Sequence, residues 1–211
     1  MARLPHKTLE RKLFESGYRY ICAVDEVGMG CLAGPVVVCA VGITNTFYKK
    51  HHRKLHWLRE SKLLLPRQRE LFANELLAEK DLVYALSLCH PKNIDAINIY
   101  QAARQAMRRS VKKIQPSILV KTIVLVDGKT KIRGLKIDQQ AIVKGDRKVF
   151  AIACASIIAK VYRDRMMKRY AKRFPGYGLE KHMGYGTSQH HAQLAILGPS
   201  PIHRRSFRLE Y

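Results

Sequence analysis

Four carboxylates, Asp25, Glu26, Asp127 and Asp146, are the residues of this chain best placed to do chemistry. The first two are neighbours in YICAVDEVGMGCLAGPVVVCAVGI (20–43), between two apolar runs; Asp127 closes the apolar run TIVLV and Asp146 closes QAIVKGD. The chain holds only 16 Asp and Glu against 39 Lys and Arg, so acids at the ends of buried-looking runs stand out. Brought together they would repel, and a hard divalent cation held by oxygen ligands relieves that repulsion better than a lysine does. No His or Cys lies beside any of the four, which points to Mg²⁺ or Mn²⁺ and away from zinc. An all-oxygen acidic pocket on a polycation suits phosphodiester hydrolysis, in which two metal ions about 3.5–4 Å apart activate a water and stabilise the leaving oxygen. The competing reading is that Lys129, Lys144 and Arg147 neutralise these acids in ordinary surface ion pairs.

Either reading depends on the elements that carry the acids. Residues 18–24 and 35–43 are rich in β-branched and apolar residues around a Gly-rich turn, and predict two neighbouring strands with Asp25 and Glu26 at the end of the first. Leu65 onward predicts a helix with Pro66 in its first turn and Leu71, Phe72 and Leu76 on one face. Residues 81–90 read as a strand. Ile94, Ile97, Ala102, Met107, Val111 and Ile114 then recur at the spacing of one long one-sided helix after Pro91. Residues 122–128 predict a buried strand stopping at a turn, and 140–146 a short strand ending in Asp146, followed by a helix over about 148–172. The alternation predicts an α/β domain with a mixed sheet and helices on its faces. Strand ends are where such sheets gather their functional groups, so acids 120 positions apart can converge. Beyond Phe174 the chain is basic, aromatic and punctuated by Gly and Pro, and reads as a helical and loop extension over 174–211 lying against a core of 1–173.

At 211 residues, one sizeable core is expected. The formal charge of +23 makes nucleic acid the first partner to consider. The N-terminal stretch has no apolar core of a secretory signal, and the longest apolar run, 149–161, is too short to span a bilayer, so a soluble, cytoplasmic protein is expected. Five cysteines, without a CxxC pair and mostly within apolar runs, read as reduced core thiols. A purely electrostatic nucleic-acid binder is the main rival, but four acids at strand ends would only repel its phosphates.

The ordered blocks AVDEVGMGCLAGPVV, ESKLL, IDAINI, VLVDG, AIVKGDRKVFAIACASIIAKVYRDR, YGLEKHMGYGTSQH and GPSPIHRRSF, spread over nearly the whole chain, resemble the bacterial ribonuclease HII family. The resemblance implies a ribonuclease H-like fold and a monomeric, Mn²⁺- or Mg²⁺-dependent endonuclease. Its substrates would be RNA:DNA hybrids and duplex DNA with single embedded ribonucleotides, cut 5′ of the ribonucleotide to leave 3′-hydroxyl and 5′-phosphate ends. It implies that Asp25, Glu26, Asp127 and Asp146 are both catalytic residues and metal ligands. Gly28, Met29 and Gly30 would meet the ribose 2′-hydroxyl, the group that separates RNA from DNA. Tyr185 would stack on the neighbouring sugar, with Tyr177 as the alternative for that role. Ser61, Lys62, Lys144 and Ser156 would lie along the substrate. Asp138 and Asp164 are expected to pair with nearby bases, and His182, His190, His191 and His203 to face nucleic acid or solvent. Three positions depart from the family's usual pattern: Met29 for Arg, Glu60 for Asp before Ser61-Lys62, and Met183 for Lys before Gly184. The acid at position 146, the GMG turn and the absence of a long N-terminal platform favour type HII over the sister ribonuclease HIII. Another nuclease of the same fold is the remaining alternative, and it would lack the GMG and Tyr185 blocks.

Overall fold

The computed structural model describes residues 8–52, 65–116 and 120–209. Its centre is a five-stranded mixed sheet: β1 (Tyr20–Val27), β2 (Val36–Thr44), β3 (Val83–Cys89), β4 (Thr122–Asp127) and β5 (Asp138–Ile142), in the order β3-β2-β1-β4-β5. β1 pairs antiparallel with β2, and β2 with β3, while β1, β4 and β5 run parallel. The alternation of side chains along the strands splits the core in two. Ile21, Ala23, Ile123 and Leu125 face one layer, filled by α7 (Phe150–Arg173); Cys22, Val24, Val124 and Val126 face the other, filled by α5 (Ile99–Ile114). All five cysteines are buried and free, as the sequence predicts.

The structure revises three expectations. The single helix expected after Pro91 is two, α4 (Pro91–Ile97) and α5, because Asn98 takes a positive φ of 62° and its side chain caps the second helix by accepting the Gln101 amide at 3.0 Å. In α3 (Pro66–Ala78) Pro66 opens the helix as predicted, but the buried face is Arg69, Ala73 and Leu76, and Leu71 is exposed, since it lies off that stripe. The strand expected to end in Asp146 stops at Ile142; Lys144 adopts the left-handed conformation and Asp146 sits in the short helix α6 (Gly145–Lys148). The tail mixes helix and loop as expected, with α8 (Leu179–His182) and α9 (Ser188–Leu197). It packs through Tyr177, Leu179, Leu194 and Ile202 on Leu32, Ala33 and Met167.

Candidate active site

Asp25 continues the series Ile21, Ala23 toward α7, and Asp127 continues Ile123, Leu125 toward the same side. The parallel register sets Val24 beside Val126, so the two acids leave neighbouring strands at one level. Glu26, one residue on, is close enough for its charge to act on Asp25. Asp127 Oδ1 accepts the Gly145 amide at 2.6 Å, which fixes the start of α6 and carries Asp146 to the site. A Cβ at Gly145 would meet Ile152 Cδ1 at 2.6 Å and Asp127 Oδ1 at 3.1 Å, so glycine is what allows this approach. All four acids line one cleft of about 610 Å³, together with Gly28, Met29, Gly30, Ser156 and Tyr185.

Burial raises the pKa of Asp25 well above the ordinary carboxylate range, and the nearby charges of Glu26 and Asp127 raise it further. Hydrogen bonds from the Ser156 side chain and from the Glu26 amide, the latter at 2.8 Å, oppose that rise by favouring the anion. Lys129 and Lys144 are exposed, and among the described residues neither is bridged to these acids, so neutralisation by those two lysines is not what the fold supplies. Among the described residues no three His, Cys, Asp or Glu form a ready-made metal cage. The donors round the cleft are nonetheless the oxygen type that a hard cation takes, and Mg²⁺ typically needs only one or two carboxylates beside water and phosphate.

A model of the ribonuclease HII family matches residues 22–210. This chain belongs to the ribonuclease HII family. It is 45% identical over 201 residues to the ribonuclease HII of Caldicellulosiruptor bescii, covering 94% of this chain and 91% of that one. Among solved structures it resembles the ribonuclease HII of Archaeoglobus fulgidus in its complex with PCNA, at a TM-score of 0.71 and 26% identity over 88% of this chain and 92% of that one. It shares its fold with ribonuclease H2 of Pyrococcus horikoshii, at a TM-score of 0.72 and 24% identity over 90% and 95% of the two chains. Membership makes this ribonuclease HII chain an endoribonuclease, a hydrolase of the ribonuclease H type.

The remaining expected residues divide. Tyr185 is 38% exposed at the cleft, its hydroxyl hydrogen-bonded to the Cys31 thiol and its pKa pushed up to about 12, chiefly by burial, so the phenol is neutral. Tyr177 is buried, donates to the Gly198 carbonyl at 2.8 Å and is not in the cleft, which removes it as the alternative. Lys144 does not line the cleft. Ser61 and Lys62 lie outside the described residues. Asp164 pairs with Lys160 at 2.7 Å as expected, whereas Asp138 accepts from the Tyr18 hydroxyl at 2.7 Å and, among the described residues, not from a base. The expectation for the histidines fails for three of them: His182, His190 and His203 are buried. His190 and His203 share a hydrogen bond at 3.0 Å between their Nε2 atoms, and the His182 ring stacks on His190 at 4.3 Å. Burial lowers the pKa of His190 and of His203 to about 4, so both are neutral at pH 7.

Two cations that sequence reading did not assign, Arg69 and Lys160, also line the cleft. A signal for the second was available: Ser156, Lys160 and Arg163 follow at i, i+4 and i+7, and so share one face of α7.

Proposed function

We propose that the cleft hydrolyses the phosphodiester 5′ of a ribonucleotide, in RNA:DNA hybrids and at single ribonucleotides within duplex DNA, leaving a 3′-hydroxyl and a 5′-phosphate. The observation that carries this is the convergence of four acids from three separate stretches of a strongly basic ribonuclease HII chain onto one cleft. Asp25, Glu26, Asp127 and Asp146 would hold one or two divalent ions, Mg²⁺ or Mn²⁺, whose chemistry when bound is to activate a water and offset charge at the phosphate. The fit rests on the oxygen-only acids of the cleft and on the strain of holding Asp25 beside Glu26 and Asp127, which a cation relieves.

The protein's own part is positioning. Ser156 favours ionised Asp25 through its hydrogen bond. Lys160 and Arg69, beside the acids, offer charge to the flanking phosphates. Gly28, Met29 and Gly30 face the ribose 2′-hydroxyl, and Tyr185 stacks on the adjacent sugar. Residues 174–211 act as a substrate-binding extension of the core, a role supported by Tyr185 at the cleft. The overall charge gathers the duplex and the acids select where it is cut.

The test is a DNA duplex with one internal ribonucleotide, incubated with Mg²⁺ or Mn²⁺. Cleavage 5′ of that residue is expected, and an intact duplex in both metals overturns the reading. In Asp25→Asn and Asp127→Asn, cleavage should fall by at least about a hundredfold while duplex binding stays within about threefold. Retained cleavage would reject the assignment of these acids.

A further inference from the structure

Two arginines, Arg163 in α7 and Arg204 near the C-terminus, are completely buried, and among the described residues neither pairs with a carboxylate. A buried charge is tolerated only when its donors are satisfied, and here main-chain carbonyls satisfy them. Arg163 donates to the carbonyls of Pro35, Met183 and Ala33 at 2.8–3.0 Å. Arg204 donates to Gly34 at 3.0 Å, Met29 at 2.9 Å and Gly28 at 2.6 Å. Burial lowers the pKa of Arg204 to about 10, which still leaves it a cation at neutral pH.

Arg204 is itself held firmly. Its amide donates to the Leu32 carbonyl at 2.8 Å, and its guanidinium lies 5.0 Å from the centre of the Phe207 ring. The turn just after it is tied down by Asp95 of α4, which accepts from the Arg205 and Ser206 amides and the Ser206 hydroxyl.

The consequence follows from peptide geometry. The peptide bonds here are trans, and in a trans peptide the carbonyl and the next amide point in opposite directions. Drawing the Gly28 and Met29 carbonyls onto Arg204 therefore turns the Met29 and Gly30 amides the other way. Residues 28–30 line the acid cleft, and neither amide donates to another described residue. Gly30 has open space where a Cβ would stand, whereas a Cβ on Gly28 would overlap the Arg163 guanidinium. One glycine is thus dictated from behind and the other leaves room in front.

We propose that Arg204 is a positioning residue for ribose recognition: by gripping two successive carbonyls it sets the Met29 and Gly30 amides as fixed donors toward the 2′-hydroxyl oxygen. This rests on the reading that residues 28–30 meet that hydroxyl. Arg204→Lys keeps the charge but loses the fork that spans three carbonyls, and Arg204→Met keeps most of the volume and loses both. In each variant the KM for the single-ribonucleotide duplex should rise about tenfold, the size expected for one lost or misaligned hydrogen bond. The inhibition constant of an all-DNA duplex should stay within about twofold, because phosphate contacts are untouched.

A folded variant that keeps its preference for the ribonucleotide overturns the inference, and so does one in which both affinities fall together, since that is the mark of a merely structural role. If neither variant folds, the unsubstituted protein supplies the answer through its amide resonances. Those of Met29 and Gly30 should move on adding the ribonucleotide duplex and not the all-DNA duplex; equal or absent shifts overturn the inference. Failure of the functional reading looks different: the unsubstituted protein itself would then neither cut at the ribonucleotide nor prefer it.

Discussion

At the scale of single residues, the folded protein places some carboxylates where water cannot help them. Asp25 is one, and Glu10 in α1 (Thr8–Glu15) is another. Glu10 is fully buried at the start of α7, where it accepts the Ala151 amide at 3.1 Å, yet burial outweighs these helix-end bonds and lifts its pKa to about 7. The folded state thus binds this proton more tightly than the unfolded chain does. The stabilisation from protonated Glu10 is complete below pH 4.5 and disappears as pH rises through about 7. Glu10→Gln should remove that slope and leave the variant up to about 3 kcal/mol more stable than the parent at pH 8. Urea midpoints across pH 4.5 to 8 measure it, and an unchanged slope would rule Glu10 out as its source. The acids of the cleft were legible in the sequence because carboxylates are scarce here and end apolar runs. Glu10 and Arg204 were not, because nothing in a residue's type says that its charge will be buried.

At the scale of elements, the strands were legible from composition, since β-branched runs bounded by Gly or Asp leave little choice, whereas their order in the sheet was not. Junctions were not. Asn98 divides what periodicity joins, and Lys144 ends β5 early by taking a conformation that only its surroundings enforce. The loop between β1 and β2 sharpens the same lesson, for its two flanking glycines read alike in sequence and differ in place. Gly28 has a φ of 92° and Arg163 at its back, so Gly28→Ala should destabilise the fold by about 1–3 kcal/mol. Gly30→Ala should leave the thermal midpoint within about 2 °C and raise the KM for the ribonucleotide duplex, because its methyl group would enter the cleft. Thermal unfolding beside steady-state kinetics separates the two, and equal losses of stability would contradict the placement of Gly30.

At the scale of the molecule, the tail is fastened by the neutral histidine pair. The 3.0 Å bond between His190 and His203 needs one ring to donate and the other to accept. Unfolded histidines take up protons near pH 6.5, whereas these resist until about pH 4, so the stability they lend is full above 6.5 and is lost as pH falls toward 4. Acid should therefore loosen the packing of α8 and α9, bringing faster amide exchange in residues 179–197 at pH 4.5 than at pH 7 after correction for intrinsic rates. Uniform exchange along the chain would reject this. The trend opposes that of Glu10, so stability should peak at mildly acidic to neutral pH.

The grip of Arg163 and Arg204 on main-chain oxygens alone has one more consequence. Main-chain carbonyls are held whatever side chain the residue carries, so where the loop leaves room, as at position 29, its frame does not depend on the side chain displayed. Met29 packs its side chain toward the cluster of Val36 and Ile94, while its carbonyl, not its side chain, is what Arg204 holds. Position 29 is therefore a natural place to retune substrate preference by design, since new side chains there can be tried without rebuilding what lies beneath them.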